Sequence, residues 1–401
     1  MTLPKAFRRL WWATGIDNLG TGAFTAAVPL LTVTVTRDPR LVSLVSAAAY
    51  LPWLLLSLPA GALADRHDRA GLMWRAQAVQ AALVAVTAVL AACGAAGVGV
   101  LVVTAFGLGA GEVVFTMAAQ AILPDLVAPA LLPRANGRQQ AVMTVTEQFA
   151  GPPLGSLLFG VAAALPFALD AVSFAFSAVL VATLPRRAHV VRTRSAVREG
   201  LGWLWRHRLL RTLAILVGVN TFCGQLAGAT LVLLATQVVH LDAGGYGLLL
   251  AGAALGSVLG GLVNARILVR IGARAALLVA LAANVGAFAG AGLSSDPVVL
   301  GGFLAVTGFV TTLWNIVTVG LRQQLVPAEL LGRVTSAYRL LAWGLIPVGT
   351  LAGGLVAHEL GLRAPYLVAA AVRGIALLAV LPVLVRSLRG PLWTYAGQRR
   401  V

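Results

Sequence analysis

Four carboxylic acids stand inside long apolar runs of this 401-residue sequence: Asp17, Glu112, Glu147 and Asp170. An acidic side chain at the centre of a hydrocarbon-embedded helix costs at least ~2.5 kcal/mol, so such residues are functional candidates by default. The chemistry open to them is proton exchange, because burial favours the neutral form of a carboxyl group. Glu112, near the middle of its run, is the leading proton-carrier candidate; an interhelical ion pair or hydrogen bond is its alternative. Glu147 lies about two helical turns into its run, on the face of Gly151, and is divided between coupling and a structural hydrogen bond. Asp17, followed by Asn18, sits at a similar depth, either lining a mouth or lying as an interfacial polar residue. Asp170, near the end of its run, is assigned mainly to structure.

A second set of residues could hold an organic molecule. Asn220, Gln225 and Asn315 offer hydrogen bonds, and Trp314, Tyr50 and Trp53 offer aromatic faces. Carboxylates opposite aromatics suit a cationic or neutral amphiphile, since cations bind aromatic faces. Trp and Tyr also anchor helices at membrane interfaces, which fits Trp11 and Trp12 better than mid-run Trp314. Enzyme signatures are absent from the sequence: there is no H-E-x-x-H, no G-x-S-x-G, no P-loop and no metal-spaced Cys/His cluster. The five His residues are scattered, and Cys93 and Cys223 make no disulfide framework. No enzyme activity, cofactor or metal is expected.

Hydrocarbon must position these groups. Hydrophobic residues make up 59% of the chain and charged residues 11%, against roughly 45–50% and 25% in soluble domains. Neither a soluble globule nor a disordered chain fits. The net charge of +17 comes from basic residues set between apolar runs rather than on a polar domain, which argues against nucleic acid as a partner. A spanning helix needs about 20 apolar residues. Twelve candidates occur, near 11–35, 41–64, 71–95, 98–123, 139–164, 166–184, 212–239, 246–269, 275–294, 298–325, 334–358 and 364–388. The first run is too long for a cleavable signal and is expected to stay as a helix. With the N-terminus inside, 26 basic residues fall in cytoplasmic segments and Arg37, Arg40 and Arg363 outside. That asymmetry puts both termini in the cytoplasm of a bacterial cell membrane. Arg373 is left within the last helix. The basic stretch 185–211 reads as a linker at the anionic inner leaflet, dividing six-helix halves at 1–184 and 212–401.

The halves repeat at an offset of 199 residues. Leu126–Arg134 aligns with Leu325–Arg333, Gly61 with Gly260, and Asp65 with Asn264. Six helices per copy make the repeats parallel, a plan used by secondary transporters that bind substrate between halves. Gly61-Ala-Leu-Ala-Asp65-Arg66-His67-Asp68-Arg69 resembles the loop 2–3 signature of the major facilitator superfamily, with Asp68 where a Gly is usual. The resemblance implies that Gly61, Asp65, Arg66 and Arg69 form a conformational latch, Asp65 meeting the positive end of the eleventh helix. Gly151-Pro152-Pro-Leu-Gly155 resembles part of the antiporter signature, with Glu147 and Ser156 replacing glycines. Together with Gly252, Gly256 and Gly260 on the eighth helix, and Gly349 and Gly353 on the eleventh, these glycines are expected to form sliding surfaces between the halves. Leu321-Arg-Gln-Gln-Leu-Val-Pro327, Leu331-Gly-Arg333 and Ile346-Pro-Val-Gly349 look like the branch of enterobactin-type siderophore exporters and macrolide-efflux proteins. That branch implies an all-α, twelve-helix exporter, probing no reaction of its own but exchanging protons for a bulky amphipathic molecule such as a drug, macrolide or siderophore. It also implies that helices 1, 4, 7 and 10 line the cavity. A monomer is expected. A proton-coupled importer on the same scaffold is the alternative; a sensor or intramembrane enzyme has less support.

Overall fold

The computed structural model describes residues 3–128, 131–184 and 197–387, and the described residues are helical throughout apart from short connections. Ten helices are long and apolar enough to cross a membrane. One of them, Ala243–Leu293, is two helices joined at Gly272, whose φ of 76° only glycine adopts readily. A further crossing is broken into pieces by a π-helical turn. The twelve segments are α1 (Lys5–Val35), α2 (Pro39–Arg66), α3 (Arg69–Ala92), α4 (Val98–Leu126), α5 (132–161), α6 (Leu165–Ala182), α7 (Arg208–Val238), α8 (243–271), α9 (273–293), α10 (Pro297–Leu325), α11 (Ala328–Leu360) and α12 (Ala364–Ser387).

Loop acids start several of these helices. Asp38 accepts from the Arg40 amide at 2.9 Å, ahead of Pro39 at the first position of α2. Asp68 caps α3 through the Gly71 amide at 3.0 Å, and Asp296 caps α10 through Val298 and Val299. Each carboxylate satisfies a backbone N–H that the helix itself leaves unpaired. Large apolar side chains such as Val161, Val269 and Val298 are 78%, 86% and 82% exposed. Lipid is the solvent such a surface needs.

The 199-residue repeat is a repeat of helix ends. Val98 and Pro297 start α4 and α10, Leu126 and Leu325 end them, and Leu165 and Ala364 start α6 and α12. Gly109 on α4 meets the Ala49 carbonyl of α2, and Gly308, its counterpart on α10, meets the Ala253 carbonyl of α8.

The chain forms two compact units: unit 1 is residues 1–193 and 235–251, and unit 2 is residues 194–234 and 252–401. Thus the end of α7 and the start of α8 belong with unit 1. The expected linker also differs in its second half. Residues Val197–Arg206 are helical, Leu204 is fully buried in the unit 2 core, and α7 already begins at Arg208, capped by His207. Trp203 and Leu204 give this stretch an apolar face that charge counting overlooks. The arginines at 186, 187, 192 and 194 lie outside the described residues.

Unit 1 has two apolar clusters. One joins Phe7, Leu10, Met73, Phe115 and Leu123; the other joins Phe24, Val28, Val84, Leu101 and Phe167. Along α1, α3 and α4 the stretches between these clusters carry the polar residues Asp17, Gln77 and Gln80, and Glu112. The core of unit 2 gathers Leu210, Leu213, Leu277, Leu313, Val317 and Tyr338.

Candidate functional site

The four intramembrane acids converge inside unit 1. Asp17 of α1 interacts electrostatically with Glu112 of α4, Glu147 of α5 and Asp170 of α6, and Glu112 with Glu147 and Asp170. Asp17 and Asp170 are 2% and 0% exposed, whereas Glu112 and Glu147 are half-buried. Hydrogen bonds to protein are few. Thr116 donates to Glu112 Oε1 at 2.8 Å, and the Ser173 hydroxyl lies 3.4 Å from Asp170 Oδ1. Asp17 Oδ1, Asp170 Oδ2 and Gln80 Oε1 are buried without a protein partner, and the buried Gln77 amide lies beside the Asp17 carboxyl. The ion pairs among the described residues are Arg40–Asp38 and Arg69–Asp125, so no basic side chain offsets the cluster. A layer of this kind can take up and release protons, since each proton relieves repulsion between neighbouring carboxylates.

Asp170 thus stands beside Asp17 and Glu112. Gly20 of α1 packs against it: a Cβ there would crowd Ser173 and lie 2.5 Å from Asp170 Oδ1. Gln77 and Gln80 of α3 were also missed. Their signal was available, as two buried amides one turn apart within an apolar run. Tyr50 of α2 interacts with Glu147, which puts it beside the acids rather than in the unit 2 cavity. Trp53, one turn on, is half-buried.

Glu147 lies in a π-helical turn, Thr144–Ala150, where the Gly151 amide bonds five residues back to the Thr146 carbonyl. Pro152 and Pro153 follow at once and lack the N–H groups a regular helix would use. Such turns are frequent at functional sites. α1 presses against this turn. A Cβ on Gly22 would lie 2.5 Å from the Glu147 carbonyl oxygen, and one on Gly155 would lie 2.2 Å from the Ala23 carbonyl.

The glycine stripes make close helix contacts within each unit. Gly151 and Gly155 meet α1 within unit 1. Gly256 and Gly260 meet Ala305 and Phe309 of α10, and Gly252 approaches Gly301 of the same helix. Gly349 and Gly353 meet Phe222 and Leu226 of α7. The physical reason is common to all: missing side chains let backbones touch, and the touching helices belong to one unit. Ser156, which replaces a signature glycine, meets Gly247 at the start of α8, so this stripe reaches a helix of the second sequence half whose first residues belong to unit 1.

The loop after α2 is partly described. The side chain of Asp65 lies outside the described residues. Gly61 has open space where a Cβ would stand, and Arg66 is exposed. Arg69 binds the Ala121 carbonyl at 3.0 Å and Asp125 Oδ2 at 2.5 Å, tying α3 to the end of α4 in the same unit. Asp68, the departure from the signature, serves as the α3 cap.

Unit 2 contains a cavity of about 500 Å³. Asn220 and Gln225 of α7 and Trp314 and Asn315 of α10 all line it, four of the six residues expected at a substrate site. The lining also holds Asn284 of α9 and Arg373 of α12, and no carboxylate. The charge in the lining is therefore a cation.

The sequence profile of the transmembrane secretion effector family matches residues 3–391. The chain belongs to that family. Its fold is that of the major facilitator transporters. Among curated proteins it resembles the multidrug efflux pump Tap of Mycobacterium tuberculosis and of Mycobacterium bovis, at 29% identity over 220 residues. That similarity covers 51% of this chain and 52% of each relative, so the chain spans about half the length of the curated relatives it matches. Two solved structures share the fold. A bacterial homologue of the iron transporter ferroportin has a TM-score of 0.77 at 16% identity, covering 97% of this chain and 100% of that one. A bacterial homologue of the human lysosomal transporter Spinster has a TM-score of 0.71 at 15% identity, covering 96% and 98%.

Proposed function

We propose that this transporter exports a bulky, amphipathic small molecule across a bacterial cytoplasmic membrane in exchange for protons. The observation that carries this reading is the four-carboxyl cluster of unit 1, which has no basic counter-charge among the described residues. Acids held in hydrocarbon are conserved for ion pathways and proton relays rather than for stability. Similarity to a multidrug efflux pump supports the outward direction. The unit 2 cavity, with its amides and Trp314, supports a ligand of drug size, within the roughly 300–1,000 Å³ range of such sites.

In this mechanism Glu112 carries the proton, with Glu147, Asp17 and Asp170 sharing it. Binding of substrate and release of the proton alternate as the two units rock between open states, as a monomer with both termini in the cytoplasm. Asp65 and its loop latch one of those states. The test uses proteoliposomes with an internal pH dye and a panel of lipophilic cations, macrolides and siderophores. Compound-dependent proton movement is expected, and Glu112→Gln is expected to abolish it while leaving folded protein in the membrane. Substrate crossing with no proton movement would replace antiport by facilitated diffusion or another coupling ion.

A further inference from the structure

Arg373 lies in mid-α12, inside hydrocarbon, and is 8% exposed. Its surroundings are neutral. Nη1 donates to the Asn284 side-chain oxygen, Nη2 donates to the Asn220 carbonyl at 2.8 Å, and the guanidinium lies 3.8 Å from the centre of the Phe288 ring. The Cys223 thiol is beside it. None of these supplies an anion, and neither ion pair among the described residues involves Arg373. A guanidinium keeps its charge under all ordinary conditions. Its Nε is buried without a partner.

The repeat shows that the scaffold does not require this arginine. At the 199-residue offset that relates α6 to α12, the counterpart of Arg373 is Phe174, packed in the apolar core of unit 1. The arginine is therefore an addition to unit 2, and it borders the cavity. Asn284, Asn220 and Phe288 hold the guanidinium plane and the Cys223 thiol takes up part of its donor capacity, while Nε has no protein partner. Gly224 borders the group, a Cβ there standing 3.5 Å from Nη2. A planar fork of donors with free N–H groups matches an oxyanion in bidentate geometry.

We propose that the unit 2 cavity binds the oxyanion of an amphipathic substrate, a carboxylate, sulfonate or phosphate, with Arg373 as its charge partner. The inference rests on the transporter reading and deepens it: the substrate is an acid or a zwitterion. Asn220, Asn315 and Thr311 supply further polar contacts, and Trp314 and Leu304 receive the apolar body.

Equilibrium binding to the full chain in phosphatidylcholine nanodiscs tests this. The probes are tritiated 1-naphthylacetate, its neutral amide 1-naphthylacetamide, and 2-(1-naphthyl)ethylammonium. The acid is expected to bind at least about tenfold more tightly than either other probe, the scale of one charge-assisted contact. Arg373→Gln is expected to bring the acid to the level of the amide. Asn284→Asp gives a second route should that variant not fold, because it places an isosteric carboxylate on the guanidinium and neutralises it internally. It too should erase the preference. A wild-type protein that binds no acid, binds acid and amide equally, or prefers the ammonium overturns the proposal, as does a preference that survives Asn284→Asp. Loss of acid binding on replacing half the lipid with phosphatidylglycerol would assign the oxyanion to a lipid headgroup and equally overturn it. Failure of the antiport reading is separate: an acid preference without proton flux leaves this inference standing, and proton-driven export of cations alone removes it.

Discussion

The buried charges divide unevenly between the units, and that division governs what each can do. Unit 1 holds four acids and unit 2 one arginine, each group without an opposite charge beside it among the described residues. Asp170 decides whether the acids act together. Asp170→Asn preserves shape, and the Ser173 hydroxyl can still donate to the amide oxygen. Were Asp170 only structural, the change would lower thermal stability and leave transport per folded molecule intact. As a member of the cluster it should slow compound-dependent proton flux on the order of fivefold, about 1 kcal/mol at the barrier, with little change in melting temperature. Flux per folded molecule equal to wild type would return it to structure. The acids were legible because each interrupts an apolar run. Their convergence was not, because it depends on Gly20 and Gly22 admitting neighbours that lie over 120 residues away in sequence. Arg373 was equally visible as a charge in a helix, but a search for proton carriers looks for acids and passes over it.

At the level of elements, the sequence announces helices more clearly than their partners. Asp38-Pro39 and Asp296-Pro297 mark starts that any capping rule finds, and Gly272, between Arg270 and Arg274, marks the break within the 51 residues Ala243–Leu293. Spacing of four shows that glycines share a face, but it cannot say which helix that face meets. Gly151 and Gly155 turn out to serve α1, and Gly349 and Gly353 serve α7, the corresponding pairing in the other repeat. These contacts set a contrast between two glycines. Gly155→Val puts a branched side chain against the Ala23 backbone, which cannot retreat, and overpacking of this kind typically costs about 1–3 kcal/mol. Gly61→Ala meets nothing within 4 Å and should hold or slightly raise stability, by the roughly 1 kcal/mol that alanine gains over glycine in a helix. Thermal unfolding in detergent separates them. Equal melting temperatures would mean that α1 and α5 do not press together as described.

For the whole molecule, the strongest statement made by composition is orientation, since the basic residues are so unevenly spread. The chain carries its own reporter for that statement. Cys93 follows the last residue of α3 and is exposed, whereas Cys223 is buried within α7. If the N-terminus is cytoplasmic, three crossings put Cys93 on the outer face, and Gly94 with φ of 68° turns the chain there toward α4. A membrane-impermeant maleimide added to right-side-out vesicles should then label the wild-type protein, and Cys93→Ser should remove the signal without help from any other thiol. Permeabilisation should add little, because Cys223 has no exposed surface to react. Labelling that appears only after permeabilisation would invert the topology. It would place the loop of Asp65 and the stretch 185–196 outside, and with them the latch and the direction of export proposed here.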